Sequence, residues 1–98
     1  VVIGWCTFDV LLGDVRSLKE KRSLIRPVLA ELRRKFPVSS AETGDQDLLR
    51  RAELSVCLCS GAVDHLREVL AECERLVAGR PEFELLSART RVLDGDDV

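Results

Sequence analysis

The chain has 98 residues, of which 46% are apolar and 33% charged, with four cysteines, one tryptophan and no tyrosine. That length suits one compact domain and leaves too little chain for two ordinary cores, so a single domain over residues 1–98 is expected, stable without metal or disulfide. The formal net charge of −2 excludes a uniformly basic protein, but residues 16–35 hold eight basic against two acidic side chains while the remainder holds seven against fifteen, an imbalance that points to a polyanionic partner for one face.

Residues 1–12 alternate, with Val2, Cys6, Phe8, Val10 and Leu12 on the even side and Trp5, Thr7 and Asp9 on the odd, the pattern of a half-buried strand. This start has no basic leader, and Asp9 and Asp14 interrupt its apolar run. It resembles neither a signal peptide nor a membrane span, and a cytoplasmic location without a membrane partner is expected. After Gly13-Asp14, Ser17-Leu18-Lys19-Glu20 has the form of a capping box, in which serine and glutamate side chains each satisfy a free N–H of a helix's first turn. Leu18, Ile25, Val28, Leu29, Leu32 and Phe36 then recur at helical spacing. Pro27 falls inside this helix and predicts a kink, or two helices with Pro27 near the start of the second. Pro37 marks the end.

Residues 38–43 suit a short strand and residues 44–47 a turn. Residues 52–60 alternate again, with Ala52, Leu54, Val56 and Leu58 toward a core and Glu53, Ser55, Cys57 and Cys59 opposite. A second helix follows Ser60-Gly61, its face made by Val63, Leu66, Val69, Leu70, Cys73, Leu76 and Val77, and Ala78 to Pro81 closes it. Residues 83–93 suit a last strand of weaker alternation, and the acidic tail 94–98 is expected to fray. The order βαββαβ predicts an α+β, ferredoxin-like fold: a four-stranded antiparallel sheet with two helices packed on one face and the other face open.

About 100° per residue places Lys19, Arg22, Arg26 and Arg33 within about 60° of one another, in a ridge about 21 Å long beside the apolar stripe. Glu20 and Glu31 lie off this ridge. Several phosphates of RNA are its natural ligand, with Arg16 and Lys21 assisting. The plainer alternative is a solvated face paired with acidic groups of the following turn. On the open sheet face, Ile3, Trp5, Cys57 and Cys59 suit a homodimer contact. Base stacking on Trp5 near Arg89 or Arg91 is the weaker reading, because the central strand lacks the aromatic and glycine pattern of RNA-binding sheet platforms.

The four cysteines occupy positions that small apolar residues would fill, which suggests free buried thiols in a reducing compartment. Cys57 and Cys59 supply only two metal ligands, His65 stands apart, and Asp45 and Asp47 are a weak magnesium pattern. No nucleophile–base constellation, phosphate loop or dinucleotide motif occurs. Neither an enzyme nor a bound cofactor or metal is expected.

Three segments, Arg16-Ser17-Leu18-Lys19-Glu20-Lys21-Arg22, Ala41-Glu42-Thr43-Gly44-Asp45-Gln46-Asp47-Leu48 and Arg51-Ala52-Glu53-Leu54, closely resemble the bacterial YlxP-like domain of unknown function (DUF503 type) over nearly the whole chain. The resemblance implies a ferredoxin-like fold and no established reaction. Genes of that family often lie beside those for translation initiation and ribosome maturation factors, which implies a link to ribosomal RNA or a ribosomal subunit by neighbourhood. Pro27 and the Cys57/Cys59 pair have no counterpart in what the resemblance implies.

Overall fold

The computed structural model describes residues 1–95. Its elements are β1 (Val2–Leu12), α1 (Leu18–Lys35), β2 (Ser39–Gly44), β3 (Arg51–Ser60), α2 (Val63–Ala78) and β4 (Phe83–Asp94). The sheet order is β2-β3-β1-β4, antiparallel throughout. This is the ferredoxin-like arrangement that the order of elements predicts. The even residues of β1 and β3, including Cys6, Phe8, Val10, Leu54 and Val56, are buried against Ile25, Val28 and Leu32 of α1 and Leu66, Leu70, Cys73 and Val77 of α2. Gly4 leaves room on this side for Leu66, whose side chain would meet any Cβ placed there.

Ser17 caps α1 by accepting the Glu20 N–H at 3.1 Å, while the Glu20 carboxylate accepts the Arg16 N–H at 3.3 Å. The box therefore closes one residue earlier than the usual reciprocal form. α1 runs through Pro27 as one helix instead of dividing into two. Pro27 and Ser23, whose carbonyl the missing N–H would have bonded, both lie on the exposed side where water is available. Ile25 before the proline and Val28, Leu29 and Leu32 after it are buried in the same core, so packing on both sides holds the helix together. The fraying expected of residues 94–98 is also corrected in part. Asp94 pairs with Val2 in the sheet, and the Gly95 N–H donates to the Val1 carbonyl at 2.6 Å; the rest of that tail lies outside the described residues.

The cysteines divide. Cys6 and Cys73 are buried, whereas Cys57 and Cys59 are free and exposed on the open face, because β3 turns its odd residues away from the helices. Burial pushes the Cys73 thiol up to about 11 and raises that of Cys6 as well. Two thiols should therefore react with an alkylating reagent in the native protein and four after denaturation, as mass spectrometry would count. The folded state keeps these two protons above the ordinary value of 9.0, where an unfolded chain releases them. Stability is then complete below about pH 9 and falls as the pH rises toward 11, a trend that thermal melts across that range would display.

Candidate nucleic-acid interface

The helix delivers the basic ridge to solvent. Lys19, Arg22, Arg26 and Arg33 are exposed, and none of the four forms an ion pair among the described residues. Their neighbouring carboxylates are engaged elsewhere. Glu20 serves the helix cap. Glu31 pairs with Lys35 at 3.0 Å and Arg80 at 2.5 Å, and its carboxyl is held below the ordinary range first by the hydrogen bond from Lys35. Neither Asp45 nor Asp47 forms an ion pair with a ridge cation among the described residues. Arg33 is anchored without being neutralised: its Nη1 donates to the carbonyl and hydroxyl oxygens of Ser40 at 3.1 and 3.0 Å. The assisting Arg16 lies 3.4 Å from Asp14, with both side chains 82% exposed, a pairing worth little in water.

Lys21 does not belong to this surface. It is 1% exposed, and its ammonium donates to the carbonyl oxygens of Asp45 at 2.7 Å and Leu48 at 2.6 Å. Glu42 Oε2 stands 3.0 Å from the same nitrogen but receives no well-directed hydrogen bond, so the ammonium compensates it by charge alone. The reason is visible in the helical period: about 100° per residue puts Lys21 between Val28 and Leu32, inside the apolar stripe. Net basicity of the segment masked that signal.

The contact explains why β2 has so few apolar residues. Its inward positions Ser40 and Glu42 meet α1 through Arg33 and Lys21, and the Ser40 hydroxyl also donates to the Leu29 carbonyl at 2.8 Å. A polar seam thus joins α1 to this edge strand, while the turn after β2 wraps the Lys21 ammonium. Asp45, at the start of that turn, takes a left-handed conformation with φ 59°, which aspartate tolerates better than most residues. Two of the segments that carry the resemblance, residues 16–22 and 41–48, are therefore in direct contact.

On the open face, Trp5 pairs in register with Cys57 on one side and Arg91 on the other, and Ile3 with Cys59. Ile3, Cys57 and Cys59 are exposed and Trp5 is half-buried. The middle of this face is polar. Thr43 bonds to Glu53 at 2.9 Å and lies 2.7 Å from the Ser55 hydroxyl, which is 3.2 Å from that of Thr7; Ser87 donates to Asp9 at 2.8 Å. Ile3 lies beyond this polar row at one end, and Leu86 of β4, exposed at 42%, sits near the other. No helix among the described residues is long and apolar enough to cross a membrane.

The chain is similar to the uncharacterized protein YlxP of Bacillus subtilis (strain 168), with 29% identity over 89 residues that span 91% of this chain and 97% of that protein. The family described as "Protein of unknown function (DUF503)" matches residues 3–90. With nearly all of its sheet and both helices inside that match, the chain belongs to the DUF503 family.

Proposed function

We propose that this protein is a non-enzymatic accessory factor of translation or ribosome maturation that contacts RNA through Lys19, Arg22, Arg26 and Arg33, with Arg16 assisting at the start of α1. The observation that carries the reading is a row of exposed cations whose nearby carboxylates are committed to other partners. The link to translation rests on the genomic neighbourhood of the family. Four phosphate contacts would make the affinity fall roughly 50- to 150-fold between about 50 and 200 mM salt. Fluorescence anisotropy with a ribosomal RNA fragment at those two ionic strengths tests this; the absence of binding, or affinity indifferent to salt, defeats it. Capture of ribosomal subunits or their RNA from native cell extract would supply the biological side of the same reading.

A homodimer through Ile3, Trp5, Cys57 and Cys59 is the second reading, favoured by the exposure of Ile3 at 39%. A polar row through Thr7, Thr43, Glu53 and Ser55 limits the apolar area available to it. If such a dimer exists, Trp5→Asp converts it to monomer in sedimentation velocity runs; a wild-type chain that sediments as a monomer at high concentration removes the reading.

A further inference from the structure

The ridge ends on a groove. The last β2–β3 pair joins Ser39 to Cys57, yet β3 continues to Ser60, so its final residues have no β2 partner. Across this uncovered edge, Phe36 and Pro37 of the α1–β2 connection share an open groove of about 600 Å³ with Ile3, Leu58 and Cys59. Arg33 lines the same groove and is also the last cation of the ridge. Its guanidinium is fixed at the junction by Ser40, while the side chain remains exposed.

We propose that this groove receives an unpaired nucleobase of the RNA whose phosphates lie along the ridge, with Arg33 holding the phosphate at the entrance. The inference rests on the RNA-contact reading of the ridge and adds the kind of RNA preferred. Three features select this occupant. The volume is within the range of small-ligand clefts and admits a base with its sugar. The walls offer an aromatic ring and a proline to a flat partner, as surfaces that stack unpaired bases do. Arg33, the one charged residue of the lining among the described residues, stands where the phosphate linked to the base through its sugar would lie. Charge alone would favour a duplex, whose phosphate density is higher. A base-accepting groove reverses that order, since paired bases are unavailable to it.

The native cysteines supply the assay, because Cys57 and Cys59 are exposed while Cys6 and Cys73 are buried. A short uridylate single strand should bind about ten-fold more tightly than the length-matched adenylate–uridylate duplex. It should also slow alkylation of Cys57 and Cys59, which the duplex does not. Phe36→Ala should remove about ten-fold of single-strand affinity and leave duplex binding unchanged. Because Phe36 also packs against the core, Cys59→Glu at the exposed rim is the second variant, expected to weaken the single strand without a comparable loss on the duplex. Salt-sensitive binding of both RNAs, with the duplex equal or tighter and the thiols equally reactive, would overturn the groove proposal while the ridge reading stands. Binding of neither RNA would remove the ridge reading and this one with it. Thiol protection that grows with protein concentration in the absence of RNA would place a second copy in the groove and likewise overturn the proposal.

Discussion

Replacing Lys21 by methionine is expected to destabilise the protein by about 3–5 kcal/mol. Methionine retains much of the stem's packing but removes the ammonium. The carbonyl oxygens of Asp45 and Leu48 lose their 2.7 and 2.6 Å donor, and the Glu42 carboxylate, 19% exposed, loses the charge opposite it. A domain of this size has a total stability of about 5–15 kcal/mol, so much of the folded population is at stake. Urea unfolding should show a lower midpoint with an unchanged slope. A second change, Glu42→Leu, separates the contributions: combined with Lys21→Met it should recover the part due to the stranded carboxylate and leave the part due to the two carbonyls. Amides of residues 45–49 should exchange faster in both variants, because the turn has lost the group it wraps. A loss below about 1 kcal/mol for Lys21→Met would mean that water replaces the ammonium and that the turn holds its own shape.

Reversing two ridge charges, Arg22→Glu with Arg26→Glu, is expected to lower affinity for RNA by at least about 100-fold at low salt, through two lost phosphate contacts and two new repulsions. The slope of log affinity against log salt should also become shallower by about two. The protein itself should tolerate the change. Both side chains are exposed and have no ion-pair partner among the described residues, and surface substitutions of that kind stay within about 0.5 kcal/mol. Arg67→Glu with Arg75→Glu on α2 is the control, equal in charge and away from the ridge. Equal losses for the two pairs would show that only net charge matters, and anisotropy titrations of the three proteins side by side make that comparison.

Lys21 and Glu42 also show how far the chain could be understood before its fold was known. Four of the six elements were legible from a clear local cause: period-two alternation in β1 and β3, a capping serine and a 3.6-residue stripe in α1, and a second stripe in α2; β2 and β4 carry a weaker signal. The order of all six left one natural packing. The ridge was legible too, since Lys19, Arg22, Arg26 and Arg33 lie on one helix and the helical period alone relates them. The charge of Lys21 suggests solvent, whereas its angular position does not. Placed on the wheel it falls among buried residues, and a cation there requires acceptors from another element. Which acceptors could not be deduced: the carbonyls of Asp45 and Leu48 lie 24 and 27 residues away in the chain and meet Lys21 only once β2 is docked beside α1.

Of the two outcomes that local rules allow at Pro27, the structure rules out the divided helix, and it does not bury the four cysteines alike. A proline is costly within an isolated helix, but α1 is held by core contacts on both sides of it. Taken as small apolar residues the four cysteines look alike, but the alternation of β3 already sets Cys57 and Cys59 on the open face, where both are exposed.

The sequence by itself determined the amphipathic faces of the main elements and the row of cations, because each depends on residues related by a short local period. Tertiary structure alone decided which cations remain in water, what occupies the turn after β2, and that Arg33 stands beside a groove where the start of β1, the end of β3 and the α1–β2 connection meet. Those outcomes depend on burial and on the meeting of distant segments, and desolvation has no local signature in the chain.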